Sequence, residues 1–120
     1  MLFVYYPKCS TCRKAKKWLD DQGISYEERD IVADNPTAGD LRAWHAKSGL
    51  PLKRFFNTSG MLYREQGLAK KLPSMSEEDQ LALLATDGML VKRPILVTDD
   101  TAIPGFREAA WAEAIAASRS

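Results

Sequence analysis

One histidine, two cysteines and almost no net charge are what this 120-residue chain offers to chemistry that depends on them. The histidine, His45, leaves a histidine-driven catalytic triad with one candidate only. A structural zinc site of cysteine and histidine takes four ligands, and Cys9, Cys12 and His45 make three, so no metal is expected. The cysteines stand too close together to staple distant parts of the chain, which excludes a disulfide scaffold of the secreted kind. Seventeen basic residues against sixteen acidic leave a net charge of +1. That balance excludes a bulk electrostatic pull toward nucleic acid or an anionic membrane. No apolar run approaches the ~20 residues of a membrane helix. The apolar stretch from Met1 to Pro7 is too short for a signal-peptide core, and no basic region precedes it. These absences read as a cytoplasmic protein, monomeric, with no bound cofactor.

What is present describes an ordinary globule. Hydrophobic residues make up 45% and charged residues 28% of the chain, the balance of a folded domain and not of a disordered segment. One core forms at this length, and folding buries roughly two-thirds of the unfolded surface without help from disulfides or metal. Leu2-Phe3-Val4-Tyr5-Tyr6 is continuously apolar and bounded by Pro7, the pattern of a buried central strand. From Ser10 the spacing turns helical, with Cys12, Ala15, Trp18 and Leu19 on one face and Gly23 placed to end the helix. Ile24 to Ile31 predicts a short, half-exposed strand. The first 31 residues then form a βαβ unit with the cysteines at its strand-to-helix turn.

The middle is helical and interrupted. Thr37 and Asp40 are spaced as a capping box ahead of Leu41 and Trp44. Ser76 and Asp79 repeat that spacing ahead of Leu81, Leu84 and Ala85, in a helix stopped near Gly88. Between Gly49 and Gly67, the residues Pro51, Asn57 and Gly60 allow only short turns of helix. Past Arg93-Pro94 the stretches Ile95–Val97 and Ala102–Ile103 flank Asp99-Asp100 as a hairpin. A last helix carries Ala110, Trp111, Ala114 and Ile115 on one face. Trp18, Trp44 and Trp111 occupy core positions, and His45 reads as a structural or surface residue. Charge is uneven along this order: residues 34–71 hold seven basic and three acidic side chains, residues 72–120 four basic and eight acidic. Two solvated faces account for that, and so does a basic patch facing an anionic ligand or an acidic protein.

Pro7-Lys8-Cys9-Ser10-Thr11-Cys12-Arg13 carries the strongest signal. A C-x-x-C where a strand meets a helix is a thioredoxin-like redox motif. Orphan amides and the positive end of the helix dipole favour a thiolate at the first position, and Lys8 and Arg13 add positive charge. Cys9 is therefore the candidate nucleophile, and Cys12, one turn on, lies close enough to close a disulfide with it. Purely structural thiols and half a zinc site are the competing readings, the latter lacking a second ligand pair. The same turn offers the amides of Ser10, Thr11 and Cys12 to an anion. A thiolate attacking a bound tetrahedral oxyanion, with arginines neutralising its charge, fits such a turn. Arg93 is best placed for that role and Arg107 next, although each taken alone also suits the solvated surface. Pro94 suits the start of a strand, where its missing N–H costs nothing.

The chain resembles the ArsC-like proteins of the thioredoxin superfamily, which include glutaredoxin-dependent arsenate reductases and the Spx/MgsR redox regulators. The resemblance rests on Tyr6-Pro7-Lys8-Cys9-Ser10-Thr11-Cys12-Arg13-Lys14-Ala15, on Leu50-Pro51-Leu52-Lys53-Arg54-Phe55-Phe56-Asn57-Thr58-Ser59-Gly60, and on Lys92-Arg93-Pro94-Ile95-Leu96-Val97. It implies an α/β, thioredoxin-like (glutaredoxin-type) fold, a four-stranded mixed sheet with a helical insertion. The core then spans residues 1–33 and 91–120 and the insert about 34–90, with Pro94 as the cis-proline of the active site. It implies a thiol oxidoreductase similar to arsenate reductase, with Cys9 catalytic, Arg93 and Arg107 on the oxyanion, and glutathione, glutaredoxin or thioredoxin as reductant. The third oxyanion arginine of the reductases falls at Asn57, leaving Arg54 or Arg64 to substitute. Cys12 is closer to the regulator branch, whose cysteine pair controls contact with the RNA polymerase α subunit. The contact glycine of that branch falls at Pro51, with Gly49 offset, so neither pattern is matched in full.

Overall fold

A computed structural model of the chain describes residues 1–119. The apolar run near the N-terminus is β1 (Leu2–Tyr5), and it is central because both of its edges are used. It pairs in parallel with β2 (Glu27–Asp30) and antiparallel with β3 (Ile95–Val97), which carries β4 (Ala102–Pro104) antiparallel on its outer side. The sheet is mixed and four-stranded, in the order β2-β1-β3-β4. Side chains alternate across it: Phe3 and Leu96 enter one apolar layer, while Val4, Ile95 and Val97 enter the other. A strand buried on both faces has no polar side to show, which explains the unbroken apolar run.

The second strand is shorter than the Ile24–Ile31 expected. After α1 (Ser10–Asp21) the chain makes a Schellman turn, Gly23 donating to Asp20 O at 3.0 Å and Ile24 to Leu19 O at 3.1 Å. Gly23, at φ +68°, takes the left-handed position that closes it. Ile24 is thereby spent on the helix end, and pairing starts only at Glu27. The Glu-Glu-Arg-Asp sequence of β2 suits an edge strand, where charge discourages further pairing.

Helices cover both faces. On one, α1 and α6 (Glu108–Arg119) bury Ala15, Leu19, Trp111 and Ile115 against Phe3 and Leu96. Trp111 is fully buried, its ring edge-on to Phe3, Trp18 and Phe106, and its indole N–H donates to Gly105 O at 2.9 Å. On the other face lie α2 (Ala38–Ser48), α3 (Met61–Glu65), α4 (Leu68–Lys71) and α5 (Glu77–Thr86), all between β2 and β3 in sequence. Leu41 and Trp44 of α2 and Leu81 and Leu84 of α5 pack there, and Arg42 grips Glu78 through two nitrogens at 2.7 and 3.3 Å. The Thr37–Asp40 capping box forms in both directions. At Ser76 only half of the expected box forms: the hydroxyl accepts from the Asp79 N–H, and Asp79 makes no return bond.

Gly88 does not stop α5 as a left-handed cap. It opens a 3-10 turn, Gly88–Leu90, and a Cβ there would lie 1.9 Å from Ile31 O. The glycine lets two backbones touch. Another 3-10 turn, Leu52–Phe55, is zipped onto the approach to β3: Lys92 N–H donates to Phe55 O at 2.8 Å, Asn57 N–H to Leu90 O at 2.7 Å, and Phe56 bridges Val91. This patch brings Arg54 beside Lys92 and Arg93.

Candidate active site

Cys9 is the N-cap residue of α1, in extended backbone at φ −90° and ψ 122°. Its own N–H donates to Tyr6 O at 3.0 Å and its carbonyl accepts from Arg13 N–H at 3.1 Å, which fixes the turn. The thiol is half-exposed, whereas that of Cys12, one turn into the helix, is buried; both are free. Burial pushes the Cys9 pKa up, but three donors outweigh it: the Cys12 backbone N–H, the Cys12 thiol and the Arg93 side chain, whose charge adds to the effect. The Cys9 thiol therefore ionises below the ordinary cysteine range. Cys12 is driven the other way, to about 12, by burial first and then by the neighbouring Cys9 sulfur. A backbone hydrogen bond at Tyr6 and the Arg93 charge offset this only in part. One thiol gives up its proton more readily than an ordinary cysteine, and its neighbour holds its proton more tightly.

Arg93 reaches this place from the far end of the chain. The Arg93–Pro94 peptide bond is cis, and Pro94 is buried immediately before β3. The guanidinium lies over the Tyr6 ring, 5.3 Å from its centroid, and Nη1 is buried with no hydrogen-bond partner. Gly105 N–H donates to Pro94 O at 2.8 Å, which holds the turn leading into α6 alongside. A cavity of about 330 Å³ opens here, with Thr11, Arg54, Lys92, Arg93 and Arg107 on its wall. Among the described residues no carboxylate lines it.

Of the residues expected to act together, Thr11, Arg93 and Arg107 share this cavity, and Arg93 joins it to Cys9. Ser10 is exposed at the first position of α1 and is not on the wall. Asn57 is not there either. Its backbone N–H is paired with Leu90 O and its side-chain amide points to Met89 O at 3.5 Å. Arg54 lines the cavity and Arg64 does not. His45 packs edge-on against the Phe55 ring and takes no part. Tyr6 and Lys92 are the residues that the sequence left unassigned. Their signal was adjacency, since one flanks the C-x-x-C motif and the other precedes Arg93. Among the described residues no cluster of histidine, cysteine and carboxylates suits a metal ion, and no helix is long and apolar enough to cross a membrane.

Comparison with known proteins adds three kinds of relative. A sequence model described as the ArsC family matches residues 4–114. The chain is 53% identical over 108 residues to the uncharacterized protein YusI of Bacillus subtilis, covering 90% of this chain and 92% of that one. It is 27% identical over 106 residues to the regulatory protein MgsR of the same organism, covering 88% and 82%. Among solved structures, a possible arsenate reductase from Streptococcus mutans superposes with a TM-score of 0.86. That protein is 47% identical, with 94% of this chain and 96% of that one covered.

Proposed function

The chain belongs to the ArsC family and has its thioredoxin-like fold, and from that premise we propose that it is a thiol oxidoreductase with Cys9 as nucleophile. The observation that carries this is the opposed ionisation of two thiols on one helical turn, with Arg93 donating to the one that ionises. On a disulfide substrate the Cys9 thiolate attacks one sulfur, the sulfur–sulfur bond breaks, and the first product leaves as a thiolate. On arsenate it attacks arsenic, the arsenic–oxygen bond to a hydroxyl breaks, and that oxygen takes a proton from solvent and leaves as water, while Arg93 and Arg107 hold the remaining oxyanion. Either adduct removes the negative charge from Cys9. The electrostatic part of what holds the proton on Cys12 then disappears, and Cys12 attacks the Cys9 sulfur. Two electrons pass to the leaving thiol or to arsenic, which becomes arsenite, and a Cys9–Cys12 disulfide remains. Glutathione, glutaredoxin or thioredoxin returns both thiols.

An arsenate-reduction assay with glutathione and glutaredoxin, on the natural protein and on Cys9→Ser and Cys12→Ser, tests the reading. Turnover by the natural protein that Cys9→Ser abolishes supports it. Failure on arsenate together with failure on small disulfides sinks it. The likeness to MgsR and the presence of Cys12 favour a second reading, a redox-sensing regulator whose disulfide alters contact with the RNA polymerase α subunit. A pull-down with that subunit under oxidising and reducing conditions decides it, and no binding in either state removes it.

A further inference from the structure

Two cavities open on a group of cations that Arg93, the one acting on Cys9, joins to the thiol. The second, also about 330 Å³, is lined by Lys53, Arg54, Phe56, Thr58 and Lys92. Arg54 and Lys92 belong to both walls, so the lobes meet across these two side chains. Together they present five cations, Lys53, Arg54, Lys92, Arg93 and Arg107, with the hydroxyls of Thr11 and Thr58 and no carboxylate among the described residues.

Some cations elsewhere in the chain are paired with carboxylates: Lys17 with Asp21, Arg29 with Asp34 and Asp40, and Arg42 with Glu78. Among the described residues, Arg93 alone of the five has a hydrogen-bonding side-chain partner, the Cys9 sulfur, and its buried Nη1 has none. Like charges gathered without a counter-charge repel one another, and an anion that spans them relieves the repulsion. The scaffold is already set. The bonds from Lys92 to Phe55 and from Asn57 to Leu90 hold the two segments that carry Arg54 and Lys92, with buried Phe56 beneath. A lone tetrahedral oxyanion over Cys9 engages one lobe and leaves Lys53 and Thr58 unused.

We propose that the two lobes form one site for a small organic compound with two anionic groups. One head sits beside Cys9 between Arg93 and Arg107, and the other between Lys53, Arg54, Thr58 and Lys92. This deepens the reading of Cys9 as a nucleophile and rests on it: its substrate is a disulfide that carries two anionic groups of the carboxylate, sulfonate or phosphate class, the sulfur–sulfur bond being the one Cys9 breaks.

The test uses the full reduced chain, neutral iodoacetamide to report on Cys9, and sulfonates at constant ionic strength. Methanesulfonate supplies one head, and ethane-, propane- and butane-disulfonate supply two at increasing separation. Once the first head binds, the second binds intramolecularly, so the best-fitting disulfonate protects Cys9 at a concentration at least about tenfold below methanesulfonate. Lys53→Ala and Thr58→Val, which touch only the second lobe, reduce that advantage to about threefold or less and leave methanesulfonate protection unchanged. Amide resonances of Thr58 and Lys92 shift with the disulfonate. A disulfonate advantage no greater than the statistical factor of about two for a ligand with two equal heads overturns the proposal. In that case, protection by methanesulfonate leaves the Cys9 reading standing. If the amides shift while no anion slows alkylation, the head beside Cys9 is refuted, and the oxyanion part of that reading falls with it.

Discussion

Arg93→Ala is expected to raise the Cys9 pKa by about one unit, which lowers its thiolate fraction about tenfold at pH values well below the midpoint. The magnitude follows from what the substitution removes. Arg93 gives the Cys9 sulfur one hydrogen bond and the field of its charge, alongside two donors from Cys12. A hydrogen bond to a charged group contributes about 1.5–3 kcal/mol, and one pKa unit is about 1.4 kcal/mol, so the ceiling is about two units. Cys9 is half-exposed, and water enters where the guanidinium was, so the lower end applies. The assay is the rate of iodoacetamide alkylation from about pH 5 to 10, read beside thiolate absorbance in the ultraviolet. Arg93→Lys keeps the charge but loses the planar fork and its stacking on Tyr6, and falls between. Arg107→Ala, absent from the groups acting on Cys9, leaves the midpoint in place. Linkage gives a second readout. Cys9 ionises below its unfolded value, so its thiolate adds stability above the unfolded pKa, and this is lost as pH falls through the folded one. Arg93→Ala shrinks that increment. A midpoint within about 0.3 unit of the natural protein would refute the reasoning and hand the whole effect to the helix end and Cys12.

Cys12 carries the opposite sign: its folded pKa of about 12 lies above the ordinary value, so stability under reducing conditions falls as pH rises past the unfolded thiol pKa. Urea titrations from about pH 8 to 10 show this slope in the natural protein and a smaller one in Cys12→Ser. Gly88→Ala forces a Cβ to within 1.9 Å of Ile31 O; the backbones must part, and a loss of about 2–4 kcal/mol is expected in denaturant unfolding. Trp111→Phe keeps an aromatic ring among Phe3, Trp18 and Phe106 but leaves Gly105 O without its donor. That costs about 1–3 kcal/mol, against about 3–5 for Trp111→Ala, both measurable by thermal and urea unfolding.

The parts of the molecule legible in the sequence are those that depend on local spacing. The apolar run of β1, the helical period from Ser10, the cap at Thr37 and the glycine after α1 each work within a few residues, and each reappears in the fold. Cys9 and Cys12 were legible for the same reason, since one helical turn sets their relation. What depended on distant partners was not. The glycine at position 88 is required by the carbonyl of Ile31, which no periodicity reveals. Asn57 looks like a position for an anion-binding side chain when aligned by motif, yet it is engaged with the backbone before β3. Arg54 enters the site because two short segments, far apart in sequence, are zipped together. Trp18, expected in the core, is only partly buried: it sits at the rim of the core, against the ring of Phe106 from the other end of the chain.

The near-neutral composition conceals how this site obtains its field. Acidic and basic side chains are nearly equal in number over the whole chain, while the two cavity walls that share Arg54 and Lys92 collect cations and, among the described residues, no carboxylate. A buried thiol three residues from one that ionises readily holds its proton more tightly, by burial first and then by its neighbour's charge, because both share a small, partly dry volume. The order of events follows from that coupling. In the proposed mechanism, bonding at Cys9 removes its charge and with it one of the causes that hold the proton on Cys12. A substrate that bound without bonding to Cys9 would leave both causes acting on Cys12, so in the proposed mechanism the disulfide is expected to close behind a completed first step.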